Sequence, residues 1–130
     1  MIEPEKSTSR ERIPDANRMR SVADFARVRS EGRAIRGTHC LVVVTRAGDE
    51  PIRIAFVASR RGVGGAVQRN RARRRLREIV RRRWPKMAQR GTWLMFVAFR
   101  STLTAPHAEL ALDVERLLVR AGMLAAGPES

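Results

Sequence analysis

Apolar periodicity starts late in this chain. Residues 1–12 are polar and without a repeat, and are expected to form a disordered tail. The first helix signal is Ser21, a residue type that caps helix N-termini, with Asp24 three positions on as a capping-box variant. Val22, Phe25 and Ala26 then share one face, and Gly32 is placed to end the helix. Leu41 to Thr45 is the β-branched run of a buried strand, and Ile52 to Ser59 is a second apolar run. Between them Ala47-Gly48-Asp49-Glu50-Pro51 reads as a turn, so the two runs are expected to pair as an antiparallel hairpin. Helical spacing returns from Ala66 to about Arg83, with Ala72, Leu76, Ile79 and Val80 on one side and Pro85 as the stop. Trp93 to Phe99 is another strand. Pro106 opens a last helix carrying Leu110, Val114, Leu117 and Leu118 at helical intervals. No internal repeat is visible. This order predicts an α+β fold, a two-layer sandwich of one sheet with helices packed on it. It is expected to occupy residues 13–124, followed by a short tail over 125–130.

A chain of 130 residues can bury roughly two-thirds of its unfolded surface, enough for one core. Cys40 is the single cysteine, which leaves no disulfide framework, no thiolate metal site and no redox pair. No apolar run approaches the ~18 residues of a membrane span, and no signal-peptide core opens the chain, so a cytoplasmic protein without membrane partners is expected.

Charge changes the picture more than anything else. Lys and Arg outnumber acids by 27 to 13, giving +14, and 25 of the 27 are Arg. A net charge of that size repels itself unless a polyanion neutralises it. Between Arg60 and Arg90 lie thirteen basic residues and one acid, Glu78, so +12 of the total sits in under a quarter of the chain. On a helical wheel Arg71, Arg74, Arg75, Arg81 and Arg82 oppose the apolar stripe, with Arg77 toward the edge. That is a guanidinium face about 27 Å long at 1.5 Å per residue. Solvated helix faces intersperse both signs, whereas this one matches the repeated phosphates of a folded RNA. The glycine-rich lead-in, Arg60-Arg61-Gly62-Val63-Gly64-Gly65, lacks both the dinucleotide spacing and the Gly-Lys-Ser/Thr of a P-loop. It serves as a tight basic turn.

Arg69-Asn70-Arg71, then Arg73-Arg74 and Arg77-Glu78, resembles the signature helix of the protein subunit of bacterial ribonuclease P. Its approach through Arg53 to Ser59, two basic residues and a glycine turn into Ala66-Val67 is similar too, as is the opening Asn17-Arg18-Met19-Arg20 with Asp24-Phe25. The likeness runs from about Ile13 to Leu124. It implies a central sheet of about four strands with three helices, one of them a left-handed crossover between central parallel strands, against the usual hand. It also implies a protein, monomeric in a one-to-one ribonucleoprotein, that pairs with a catalytic RNA. That RNA cleaves the 5′ leader from precursor tRNA with magnesium ions. The residues that match for RNA binding are Arg60, Arg61, Arg69, Asn70, Arg71, Arg73, Arg74 and Arg77; those for the leader are Arg18, Arg20 and Phe25. One departure bears on the leader. Arg29 stands where a second aromatic is expected and the chain has no Tyr, so stacking worth about 1–3 kcal/mol per base would shift toward Arg.

Protein-borne catalysis finds little support in the residues. A nuclease needs clustered carboxylates for metals or a histidine acid–base pair. His39 and His107 fall on elements with no reason to meet, Asp113 and Glu115 read as surface acids of the last helix, and Cys40 reads as a small buried residue. No catalytic or metal-ligating residue is expected, and magnesium is expected only through the RNA. Phe56, Trp93, Phe96 and Phe99 read as core. Two rivals remain: a structural ribosomal or RNA-chaperone protein with a related fold, and a DNA-binding protein. The latter lacks tandem recognition helices or dimer signals.

Overall fold

The computed structural model describes residues 12–125. Ser21 starts the first helix, α1 (Val22–Glu31), by accepting the Asp24 N–H at 3.0 Å, while the Asp24 carboxylate reaches back to the Arg20 N–H at 3.3 Å. Gly32 ends α1 in extended backbone, not in the left-handed turn a terminal glycine usually supplies. Its reason is space: a Cβ there would collide with the Val43 side chain and the Val28 carbonyl. Strands β1 (Arg33–Arg36), β2 (Cys40–Pro51) and β3 (Arg53–Val57) follow, then the long helix α2 (Ala66–Arg83). Pro85 lies in a 3-10 turn, Trp84–Lys86, that stops α2. Strand β4 (Arg90–Ala98), a 3-10 turn (Arg100–Thr102) and helix α3 (His107–Arg120) complete the described chain.

The strands form a four-stranded mixed sheet in the order β1-β2-β4-β3. β2 and β3 therefore do not pair, and the expected hairpin is wrong. β4 lies between them, antiparallel to β2 (Val43 opposite Met95) and parallel to β3 (Ala55 opposite Met95). The reason is in β4 itself: Trp93 to Phe96 is buried on both faces, and such a strand needs a neighbour on each side. The supposed turn, Ala47–Pro51, instead prolongs β2, with a register shift between Arg46 and Pro51. β1 carries little signal in the sequence because Arg33-Ala34-Ile35-Arg36 buries only Ile35. The parallel pair joined through α2 has β4 inside and β3 at the rim, where the preceding segment covers it. Arg18 bridges Ile54 in parallel, Met19 N–H donates to the Ile54 carbonyl at 3.0 Å and Asn17 Nδ2 to the Ile52 carbonyl at 2.7 Å.

Alternation along the strands divides the interior in two. On one face Val42, Val44, Ile54, Leu94 and Phe96 pack with Leu76, Ile79 and Val80 of α2 and Leu110, Val114 and Leu117 of α3. Ile13 joins this cluster. On the other face Ala55, Trp93 and Met95 meet Met19 and Val28, with Phe25, Val43, Val57 and Val97 half-buried around them. α1 thus lies across the sheet from α2 and α3. It is held there at Trp93, whose ring packs against the guanidiniums of Arg27 (4.4 Å to the ring centre) and Arg53 (5.1 Å). Arg27 is held in turn by Glu31 and Glu50, and Arg53 by Asp24 at 3.0 Å. The expected tails over 1–12 and 125–130 lie outside the described residues, apart from exposed Arg12 and Ala125.

Candidate nucleic-acid interface

Four buried residues, Ala72, Leu76, Ile79 and Val80, seat α2 on the sheet, so its other side must face water. Arg71, Arg74 and Arg82 project there, exposed and without an ion pair among the described residues. Val67, 78% exposed, precedes Arg71 by one turn. Asn70 is exposed, and its Oδ1 accepts a short hydrogen bond from the Arg73 guanidinium. Other arginines of the run are committed to the fold. Arg75, expected on the outer face, instead donates to the Thr102 carbonyl at 2.6 Å and the Ala105 carbonyl at 2.7 Å. These carbonyls end the irregular turn before α3 and need a donor. Arg83 bonds the Ile79 carbonyl at 2.9 Å and Glu115 at 3.2 Å, and Arg81 grips Glu78 at 2.6 Å. The exposed charge is therefore concentrated toward the N-terminal half of α2.

Crowded guanidiniums leave a signature. Burial pulls Arg75 below its ordinary pKa, with the Arg71 charge adding to it. Burial does the same to Arg77, followed by the charges of Arg18, Arg73 and Arg74, with Glu78 opposing. Glu78 is held below the ordinary carboxylate range first by its bond from Arg81.

The lead-in to α2 is firmly built. Ser59 Oγ accepts the Gly62 N–H at 2.8 Å, the Ser59 carbonyl accepts the Val63 N–H at 2.9 Å, and Arg100 donates to the Val63 carbonyl at 3.0 Å. Gly64 has φ +137°, a conformation that needs glycine. Val63 is buried while Arg60 and Arg61 stay exposed, so both reach solvent beside the start of α2.

The three residues matched to the leader are not brought together. Phe25 lies half-buried against the second sheet face, whereas Arg18 leaves the sheet on the side of its bridge partner Ile54, toward α2. Arg20 is exposed and 3.4 Å from Asp15. The open part of the second face holds features that sequence reasoning missed. Arg36, Leu41, Val97 and Val57 line up across all four strands, and Arg36 stacks on the half-buried Phe99 at 4.5 Å. Phe56 is likewise half-buried, with Arg77 5.9 Å from its ring centre, so neither aromatic is sealed core; Trp93 and Phe96 are.

One sequence reading of a chemistry-bearing residue needs correction. Asp113 is buried, not a surface acid: its carboxylate accepts the Thr38 N–H at 2.9 Å and the His39 N–H at 2.8 Å, capping the turn between β1 and β2. His39 bridges Ser101 Oγ and Glu109 Oε2 at 2.7 Å each. Neither could be seen from local patterns, because α3 reaches this turn only through the tertiary fold. Glu115 pairs with Arg83, and His107 is exposed in the first turn of α3. Cys40 is fully buried, and burial together with Asp113 pushes its thiol far up, which removes the reactive thiolate. Among the described residues no three of His, Cys, Asp or Glu are grouped to hold a metal ion, and no helix is long and apolar enough to cross a membrane.

The family model for ribonuclease P matches residues 13–122, nearly the whole described chain. The chain belongs to the ribonuclease P protein family. The ribonuclease P protein component of Symbiobacterium thermophilum is 40% identical over 110 residues, covering 84% of this chain and 94% of that protein. That of Beutenbergia cavernae is 42% identical over 114 residues, covering 87% and 94%. The fold agrees with solved ribonuclease P proteins at lower identity. A mutant of the Staphylococcus aureus protein superposes with TM-score 0.73 at 20% identity, over 84% of this chain and 91% of that one. The Thermotoga maritima protein gives 0.68 at 23% identity, over 79% and 96%.

Proposed function

We propose that the chain binds a catalytic RNA through α2 and the 5′ leader of precursor tRNA through α1 and the open sheet face, forming a one-to-one cytoplasmic ribonucleoprotein endonuclease that matures tRNA 5′ ends. The observation that carries this reading is the N-terminal half of α2, in a chain of this family. There a helix fixed by four buried residues presents Arg71 and Arg74 to solvent, with Arg60 and Arg61 at its approach and Asn70 and Arg73 joined between them. Guanidinium forks suit phosphate oxygens in pairs, and a rigid helix sets their spacing before the RNA arrives. The protein contributes binding and orientation, while the RNA carries the chemistry and holds the magnesium ions that hydrolysis requires. The leader would run along the half-buried Phe25 and the ladder of Arg36, Leu41, Val97 and Val57, where apolar surface and an Arg-capped ring offer stacking in place of the missing aromatics.

The test is reconstitution. Protein and cognate RNA at modest magnesium should remove the leader of a precursor tRNA faster than the RNA alone, and the protein alone should cleave nothing. Site-specific, metal-dependent cleavage by RNA-free protein would sink the assignment of chemistry to the RNA. Copurification with ribosomal RNA in place of one long structured RNA would favour a ribosomal or chaperone role.

A further inference from the structure

Arg18 lies before α1 and Arg77 two-thirds of the way along α2, yet the fold carries both to the β3 rim. Arg18 is fixed there by its neighbours: the Asn17 side-chain amide donates to the Ile52 carbonyl at 2.7 Å and the Met19 N–H to the Ile54 carbonyl at 3.0 Å. Paired residues of adjacent strands point the same way, so the Arg18 side chain leaves on the side of Ile54 and of Phe56 two residues on. Phe56 is half-buried and stacked on Phe96 with ring centres 5.8 Å apart; Arg77 stands 5.9 Å over it on the same side. Of the charges that act on Arg77, Arg18 is the strongest, ahead of any on its own helix. Nearby acids offset the pair only in part. Glu78 is gripped by Arg81 at 2.6 Å, and Asp15, its side chain 83% exposed, stands 3.9 Å from Arg18 Nε.

Two forked cations held at one sheet edge, one of them over an aromatic ring, form a site for an anion with several oxygens. We propose that Arg18 and Arg77 grip one phosphodiester of the RNA subunit, which makes the segment before α1 part of the RNA-subunit interface and not of the leader surface. This rests on the function proposed above and assigns Arg18 differently from its match to leader-binding residues. Fixing both donors before binding lowers the ordering cost of the contact. In the free protein their mutual repulsion is offset only in part by Asp15 and Glu78, so the same pair that favours the complex disfavours the isolated fold.

Arg18→Met and Arg77→Met, singly and together, keep the apolar stems and remove the charges. Each single variant should weaken binding of the transcribed cognate RNA by about tenfold, and the double by little more than either, since both serve one phosphate. The loss should be equal whether the holoenzyme is then offered precursor or mature tRNA. The free Arg18→Met protein should melt at or above the wild-type temperature. Additive losses, a silent Arg18→Met, or an Arg18→Met defect confined to precursor tRNA would each overturn the shared grip. If the wild-type protein itself fails to bind RNA, the parent function falls; if it binds while Arg18→Met is silent, the grip alone falls.

Discussion

Asn70 carries no charge, lies exposed on α2 and accepts a bond from the Arg73 guanidinium one turn on. The glycine turn before α2 is closed by Ser59 and Arg100 and owes nothing to Asn70. Weaker assembly on Asn70→Ala would therefore report an interaction with RNA, made by the amide directly or by the Arg73 fork it orients. We expect Asn70→Ala to weaken holoenzyme assembly tenfold or more with an unchanged melting temperature, read by RNA-binding titration beside thermal unfolding. Phe25 poses the converse case, a ring half-buried among Met19, Val28 and Met95 but still open on one side. Phe25→Ala should weaken precursor tRNA binding by the holoenzyme and leave mature tRNA binding alone. Equal losses for both ligands with a lowered melting temperature would make Phe25 packing only.

At the scale of elements, α2 is legible in the sequence almost residue for residue, since helical spacing over 18 residues with four buried positions and a proline stop leaves little freedom. α1 is legible through Ser21 and Asp24. The sheet order is not, because strand pairing is a long-range choice that local turn residues only bias. Gly48-Asp49 resembles a hairpin turn, but the doubly buried run in β4 outweighs it. The site is half legible for a related reason. A wheel tells which arginines leave the core and sets Arg81 one turn from Glu78, but it does not tell that Arg75 finds two carbonyls. Those bonds sharpen one comparison. Arg71 and Arg74 are exposed on the family's signature, whereas Arg81 lies past it and is committed to an acid. A charge-assisted contact in fixed register is worth about 1.5–3 kcal/mol, well above a screened surface charge. The pair Arg71→Ala with Arg74→Ala should thus cost assembly tenfold or more, and Arg81→Ala with Arg82→Ala only a few fold. Comparable losses for the two pairs would leave only a diffuse basic helix.

For the molecule as a whole, +14 on 130 residues is a statement about what must accompany it. The structure divides that charge by what each guanidinium does. Arg27 and Arg53 pack against Trp93 and hold α1 to the sheet, while Arg75, Arg83 and Arg100 bond carbonyls that close turns and helix ends. On α2 and its approach Arg60, Arg61, Arg71, Arg74 and Arg82 are exposed, and Arg18, Arg73 and Arg77 border them. At this face only the exposed and bordering residues can displace counterions from RNA, because a guanidinium already bonded inside the fold is not free to reach a phosphate. Each neutralised phosphate adds roughly 0.7 to 0.9 to the slope of log affinity against log salt. If six to eight of these residues engage, the slope for RNA-subunit binding should be about −4 to −7. Were the whole basic complement acting as a diffuse cloud, the slope would be far steeper and would change little with any one substitution. The fold instead predicts an uneven response: removing Arg74 should make the slope shallower by about one contact, and removing Arg75 should leave it nearly unchanged while lowering the melting temperature. Titrations of wild type, Arg74→Ala and Arg75→Ala across a series of salt concentrations measure all three. A slope shallower than about −2 for the wild type would mean that the arginine face of α2 is not the binding surface.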